Sequence, residues 1–125
     1  MLVRPQQTVV RLSTDVLAVA DPTIAAALRL IREHAHAGLR VDTVARQVSL
    51  SRSVLQRRFR ALLRRSVHQE ILSTRIKRAR ELLIKTDLPL ATVAEHAGFK
   101  HQEYMGAVFR ARVGKTPAQV REEAG

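Results

Sequence analysis

The sequence predicts an all-α fold of seven helices that follow an extended N-terminal segment. Apolar residues recur at spacings of three and four along most of the chain, which is the periodicity of an amphipathic helix. Capping residues precede several of these stretches and glycines follow them. Glycine and proline are scarce, at 5 and 4 of 125 residues, and 46% of the residues are hydrophobic, so a packed helical core is expected.

The limits of the seven helices follow from local start and stop signals. Residues 1–20 are rich in β-branched side chains and lack such signals, which predicts an extended interdomain linker. Asp21 and Pro22 then form an N-cap followed by proline at the first helical position, and Gly38 is expected to end this helix. The next five helices are expected over residues 41–48, 52–63, 67–85, 90–97 and 101–113. Thr116 and Pro117 should begin the last helix.

Charge is the strongest global feature of the composition. Lys and Arg number 22 against 11 Asp and Glu, which leaves a net charge of +11 and favours a polyanionic partner, nucleic acid before an anionic membrane. Residues 52–65 hold six arginines and no acidic residue. No cysteine is present, which excludes disulfides and thiolate metal sites. No apolar run reaches the roughly 18 residues that a membrane-spanning helix needs.

An internal repeat suggests what these helices do. Residues 43–60 resemble residues 92–110: both copies begin Thr-Val-Ala, and Leu50 corresponds to Phe99. Leu55 is paired with Tyr104, and one extra residue is placed between Tyr104 and the second Phe-Arg pair. Each copy reads as a short helix, a tight turn and a longer helix, which is the helix-turn-helix pattern of DNA-binding proteins.

The repeat divides the chain into two units joined by one helix. The first unit is expected over residues 21–66, the linker helix over 67–86 and the second unit over 87–123. A linker helix of about 19 residues is roughly 28 Å long. Successive major-groove segments on one DNA face repeat about every 34 Å, so two units on such a helix could occupy adjacent segments.

The chain resembles the C-terminal DNA-binding domain of the AraC/XylS family of bacterial transcription regulators. The resemblance rests on the repeat, on RIKRARELLIKTDLPLATVAEHAGF at residues 75–99 and on GAVFRARVGKTPAQVRE at residues 106–122, and it covers residues 22–123. The segment TVVRLSTDVLAVADP is similar to the junction in xylose-operon members. The resemblance therefore implies sequence-specific binding of duplex DNA in the cytoplasm, near sugar-metabolism genes.

The resemblance also implies partners and an assembly state. A sensor domain would precede this chain in the full-length regulator, which could also contact RNA polymerase. The isolated domain is expected to be a monomer, with no cofactor and no membrane partner.

The resemblance assigns site residues by position on the two recognition helices. Base reading in the first unit falls to Arg52, Ser53, Gln56 and Arg57. In the second unit it falls to His101, Gln102 and Glu103. Arginine can pair with guanine, Gln with adenine, and Glu can accept from cytosine. Phosphate contacts are expected from Arg60, Thr92, Lys100 and Arg110. Further candidates on the linker helix are Arg75, Lys77, Arg78 and Arg80.

Three positions depart from the family pattern. Arg64 stands where relatives often have glycine, which weighs against a left-handed cap there. Leu90 follows Pro89 without a Ser or Asn cap. Gly106 falls on the groove-facing side of the second recognition helix and offers no side chain, so the second unit should read fewer bases.

The alternative is a non-specific, basic helical module that binds RNA or packs the nucleoid. Such a module would be basic without needing two matched units. Four aromatic residues are present, all at positions typical of a core, so no stacking platform for single strands is expected: Phe59, Phe99, Tyr104 and Phe109. The five histidines lack metal-ligand spacing, and no catalytic motif is found, so neither a metal site nor an enzyme is predicted.

Overall fold

The computed structural model describes residues 20–125, and this part of the chain forms seven α-helices and one short 3-10 helix. They are α1 (Pro22–His34), the 3-10 helix (Ala35–Ala37), α2 (Val41–Gln47), α3 (Arg52–Leu63), α4 (Val67–Lys85), α5 (Leu90–Ala97), α6 (Gln102–Arg112) and α7 (Pro117–Ala124). The prediction of an all-α, seven-helix fold is confirmed. The predicted extended segment, residues 1–20, lies outside the described residues except for Ala20.

Helix α1 begins as its sequence signals predict and ends earlier. The Asp21 carboxylate accepts hydrogen bonds from the backbone N–H groups of Thr23, at 3.1 Å, and Ile24, at 3.4 Å. The α-helix stops at His34, and the next three residues tighten into the 3-10 helix. Gly38 then closes the segment in the left-handed conformation, with φ of 78°. The stop signal was therefore correct, although the last turn before it is 3-10 rather than α.

The linker helix α4 starts with a capping box. The Ser66 hydroxyl accepts a hydrogen bond from the Gln69 N–H at 3.0 Å, and the Gln69 side chain accepts one from the Ser66 N–H at 2.8 Å. This reciprocal pair satisfies two of the N–H groups that a helix start leaves without partners. The linker helix therefore begins at a defined residue, immediately after the first unit ends.

The hydrophobic core consists of two clusters that meet on α4. The first cluster is built from α1, α2, α3 and the first turns of α4, up to Ile71. The second is built from the rest of α4, from Leu72 onward, with α5, α6 and α7. Ile71 and Leu72 are neighbours in sequence and project about 100° apart around the helix, so each enters a different cluster. The linker helix is thus part of both cores rather than an exposed connector.

The prediction that Arg64 disfavours a left-handed cap was wrong. Arg64 has φ of 61° and ψ of 21°, and its N–H donates to the Arg60 carbonyl oxygen at 2.8 Å. Two residues, Arg65 and Ser66, then connect this cap to α4, so the chain must reverse within a short distance. Left-handed backbone costs a residue with a side chain about 1–2 kcal/mol, which the surrounding packing offsets here.

Candidate nucleic-acid interface

The turn between α2 and α3 fixes the position of α3, which was predicted to be the first recognition helix. Ser49 adopts the left-handed conformation, with φ of 59°. The Leu50 N–H donates to the Ala45 carbonyl oxygen at 3.0 Å, and the Ser51 hydroxyl caps α3 by accepting from the Val54 N–H at 3.2 Å. The Leu50 side chain packs against the first core cluster, at the junction between the two helices.

The turn between α5 and α6 repeats this geometry. Gly98 occupies the left-handed position of Ser49, with φ of 98°, and the Phe99 N–H donates to the Ala94 carbonyl oxygen at 2.9 Å. The Phe99 side chain is buried in the second core cluster. Lys100 and His101 then follow before α6 begins, where the first turn has only Ser51. The additional residue of the second copy therefore lies in the turn.

This placement corrects the alignment of the two copies. The pairing of Leu55 with Tyr104 was wrong: counted from the N-cap of each helix, Leu55 corresponds to Met105, and both are fully buried. Phe59 and Phe109 correspond in the same register and are also fully buried. An insertion inside α6 would have rotated the following residues by about 100° and exposed one of these side chains.

Tyr104 is consequently not a core residue, contrary to the prediction made for all four aromatics. Its side chain is 39% exposed and touches Phe99 edge-on, with ring centroids 5.9 Å apart. The position that it shares with Val54 lies at the margin of the buried face. A single exposed tyrosine provides one aromatic surface, whereas single-strand binding uses several in succession.

The outer face of α3 carries three of the seven predicted base-reading residues and one predicted phosphate contact, Arg60. Ser53, Gln56, Arg57 and Arg60 follow one another at helical spacings and lie opposite the buried side chains. Gln56 is partly exposed, and the other three are exposed. A polar face of this kind offers an amide and two guanidinium groups to a partner in front of the helix.

Arg52, at the first position of α3, has a partner within the protein. Its Nη1 donates to Asp42 Oδ1 at 3.1 Å, which joins the start of α3 to the start of α2. Both side chains are more than half exposed, at 58% and 55%, so solvent screens the pair and its contribution to stability is small.

The outer face of α6 carries polar side chains at its beginning and small residues in its middle. His101, Gln102 and Glu103 are exposed at the start of the helix. In the corrected register Gly106 stands where α3 has Gln56. Ala107 likewise stands at the position of Arg57. The predicted scarcity of side chains on this face thus extends over two adjacent positions.

The predicted phosphate ligands lie at the borders of these faces. Arg60 and Arg110 occupy equivalent exposed positions on α3 and α6. Thr92 is partly exposed in the first turn of α5, and Lys100 is exposed in the turn after it. Of the linker-helix candidates, Lys77, Arg78 and Arg80 are exposed.

Arg75 differs from the other linker-helix candidates, because it binds the first unit. Its Nε donates to the carbonyl oxygen of Ala35 at 2.9 Å, and its Nη2 donates to that of Leu39 at 2.8 Å. Burial lowers the pKa of the Arg75 guanidinium below its ordinary value. No sequence pattern indicates this role of Arg75, because its acceptors are backbone carbonyls that any residue provides.

Two further arginines of the basic run have carboxylate partners. Arg58 Nε donates to Asp21 Oδ2 at 3.0 Å, and Nη2 of the same guanidinium donates to the same oxygen. This hydrogen bonding lowers the pKa of the Asp21 carboxyl, against the opposing effect of its burial. Arg65 Nε donates at 2.5 Å to Glu70, which is the buried charged residue of the described chain. The run is therefore divided between structural arginines and an exposed set on α3.

Residues 20–125 contain neither a candidate membrane span nor a candidate metal site. Among these residues, no helix is both long and apolar enough to cross a bilayer. In the same range, no three His, Asp or Glu side chains are grouped so as to hold a metal ion.

Comparisons with known proteins agree with this geometry. Residues 44–123 match the model of a family described as a helix-turn-helix domain. The xylose operon regulatory protein of Escherichia coli strain K12 is 34% identical over 122 residues, which cover 98% of this chain and 31% of that protein. The chain thus spans about a third of the length of this relative.

Solved structures of other transcription regulators are similar to this fold. The C-terminal domain of AraT, a response regulator from Geobacillus stearothermophilus, superposes with a TM-score of 0.79 at 29% identity, covering 82% of this chain and 86% of that one. The DNA-binding domain of AdpA, a global transcriptional factor solved in complex with a target DNA, superposes with a TM-score of 0.75 at 30% identity, covering 79% and 89%. The family match spans α3, α4, α5 and α6 in full, so this chain belongs to the AraC-type helix-turn-helix family of DNA-binding domains of transcription regulators.

Proposed function

We propose that the two units bind adjacent major-groove segments of one duplex and select its sequence, with α3 and α6 as recognition helices. The observation that carries this proposal is the repeated turn, in which Leu50 and Phe99 make the same backbone hydrogen bond and leave the outer faces of both following helices exposed. In helix-turn-helix proteins that exposed face enters the major groove.

The first unit supplies most of the base contacts in this proposal. Gln56 and Arg57 stand in the middle of the exposed face, where an amide can pair with adenine and a guanidinium with guanine. Ser53 lies one turn earlier. Arg52 is included because its pair with Asp42 is exposed and weak, so a base can replace the carboxylate at little cost.

The second unit reads fewer bases and contributes more through the backbone of the DNA. His101, Gln102 and Glu103 can reach bases from the start of α6, whereas Gly106 and Ala107 offer no polar group in its middle. Four residues at the borders of the two faces are assigned to phosphates, where they fix position without reading sequence: Arg60, Thr92, Lys100 and Arg110.

The biological setting is proposed from the relatives and from the family resemblance. The name of the xylose operon regulatory protein supports a role at genes of pentose metabolism. Residues 21–66 and 87–123 would be the two DNA-binding units, and 67–86 the helix between them. In a longer regulator a sensor domain would control them, and contact with RNA polymerase would couple binding to transcription in the cytoplasm. The isolated domain is proposed to be a monomer without enzymatic activity.

Selection of sites from a randomised duplex library, at near-physiological salt, tests the proposal. Two enriched segments about 10 bp apart are expected, since that is one turn of the duplex. The segment under α3 should carry more sequence information than the segment under α6. Binding without any enrichment would instead favour the non-specific packing module, and better competition by RNA than by duplex would favour the RNA-binding one.

A further inference from the structure

The two units touch one another beside the linker helix. On the first unit this contact is formed by the 3-10 helix and on the second by α5, and the linker helix α4 contacts the same 3-10 helix and Leu39. Helix α4 alone fixes the distance between the units along its axis. A unit could still tilt about that axis through small changes in side-chain packing, and contacts beside the axis resist such a tilt.

Arg75 provides the polar part of this contact. The Ala35 and Leu39 carbonyl oxygens that it binds, at 2.9 and 2.8 Å, lie at the end of the first unit's opening helical segment. Within its own segment the Ala35 carbonyl oxygen accepts a long hydrogen bond from the Gly38 N–H, at 3.4 Å, and the guanidinium adds a shorter one. Its planar fork reaches both acceptors at once, which fixes an orientation as well as a distance.

Gly98 provides the close-packed part. A Cβ atom at this residue would lie 2.5 Å from the Ala35 carbonyl oxygen and 2.8 Å from the Cα atom of His36, so the two backbones are in direct contact. Gly98 also has φ of 98° and belongs to the turn that leads into α6. Three residues separate Gly98 from the start of α6, so this helix is positioned against the first unit through a short stretch of backbone rather than through long side chains.

From these contacts we infer that Arg75 and Gly98 hold the two recognition helices in one relative orientation, so that this protein accepts a single spacing between its two DNA segments. The inference rests on the proposed function, since it requires that both units engage one duplex. Arg75 and Gly98 are positioning residues here, because they act through the placement of α6 and touch no base.

The primary test measures affinity on the selected site and on derivatives whose two segments are one base pair closer or farther apart. One base pair changes the separation by about 3.4 Å and the direction by about 35°. A rigid protein must then give up contacts of one segment, and we expect about a tenfold or greater loss of affinity. The affinities of the Arg75→Ala variant for the three duplexes should differ less from one another than those of the original protein do.

Two variants serve as controls for this test. Lys85→Ala removes the same charge from the exposed end of the same helix and should keep the spacing preference. Arg75→Lys keeps the charge without the fork and should restore the preference only in part. The inference would be overturned if the Arg75→Ala variant discriminated between the three spacings as strongly as the original protein does. It would also be overturned if the original protein needed both segments but bound all three spacings equally well.

A second measurement needs no DNA and so separates this inference from the proposed function. The chain has no cysteine, so Arg29→Cys and Glu122→Cys, at exposed positions on α1 and α7, allow two spin labels to be attached selectively. We expect a narrow distribution of distances between the labels, broadened by Arg75→Ala. A broad distribution in the otherwise unchanged protein would overturn the inference. If site selection finds one segment only, the two-unit proposal fails and this distribution alone decides whether the units are locked.

Discussion

The arginines of this chain show how one residue type divides into structural and binding roles. Arg58 is held by Asp21, which caps α1, and Arg65 is held by the buried Glu70. Arg57 immediately precedes Arg58 in sequence and lies on the exposed side of α3. Net charge indicates a polyanionic partner, but only the positions of the carboxylates tell which guanidinium groups face it.

Gln56→Ala and Arg57→Ala are expected to weaken binding to the selected duplex by about 1–3 kcal/mol each, because each removes a side chain able to form two hydrogen bonds with a base. Binding to a scrambled duplex should change much less. Dissociation constants on both duplexes at one salt concentration provide the measurement. Arg29→Ala, an exposed arginine of α1, is the control for loss of charge. Equal losses on both duplexes would contradict base reading.

Asp21→Asn is expected to lower stability at neutral pH by about 1 kcal/mol, because it removes a partly exposed ion pair with Arg58 while keeping a side chain that can cap α1. The folded-state pKa of Asp21 is lowered below the unfolded value of about 3.9. The carboxylate's contribution is therefore complete above that value and is lost as pH falls through the lowered pKa. Urea unfolding should show a smaller difference in stability between the original protein and Asp21→Asn at acid pH than at pH 7. An equal difference in stability at both pH values would contradict the prediction.

At the scale of the elements, the sequence predicts most helix limits correctly, but the predicted alignment of α6 with α3 was wrong. Capping residues and glycines carry local signals, so α3, α4 and α5 begin and end where expected. The pairing of Tyr104 with Leu55 failed because similarity between side chains placed the extra residue inside α6. The requirement that a helix keep its buried face would have placed it in the turn instead, at Lys100.

The contact between the two units could not have been predicted from the sequence. Its acceptors are the carbonyl oxygens of Ala35 and Leu39, and every residue carries such a group. Arg75 also stands in a basic stretch of α4, where an exposed arginine would look the same. Non-local contacts to the backbone leave no pattern in a single sequence, in contrast to caps, which involve neighbours.

Arg64→Gly is expected to make the protein about 1 kcal/mol more stable than Arg64→Ala, because Arg64 has φ of 61° and glycine adopts that conformation without steric cost. Arg64→Ala is the matched control, since both substitutions remove the guanidinium and only one removes the Cβ atom. Urea unfolding of the two variants gives the difference. Equal stabilities would mean that the left-handed cap at the end of α3 carries no strain.

At the scale of the whole molecule, the two hydrophobic cores share one helix, and the positive charge around them favours binding along a polyanion. Because Ile71 and Leu72 enter different clusters, the helix that joins the two units is packed into the core of each. Exposed basic residues occur on α3, on α4 and at the end of α6, so the excess of positive charge extends over both units. Affinity for duplex DNA should accordingly fall steeply as salt rises.

Arg110→Ala is expected to reduce the steepness of that salt dependence by about one unit on a double-logarithmic plot, because one phosphate contact releases about one counterion. Unlike the base-reading variants, it should weaken selected and scrambled duplexes alike. Dissociation constants measured between about 50 and 200 mM salt would show both effects. Arg60→Ala, at the equivalent position of α3, should behave in the same way.

Arg29→Ala separates a local contact from a general loss of charge in this experiment, because it lowers the net charge equally from an exposed position on α1, outside both recognition helices. It should leave the slope close to that of the unchanged protein. If Arg110→Ala and Arg29→Ala shift the slope by the same amount, the long-range field rather than a phosphate contact at α6 governs the salt dependence. A slope changed only by Arg110→Ala and Arg60→Ala would place a phosphate beside each recognition helix.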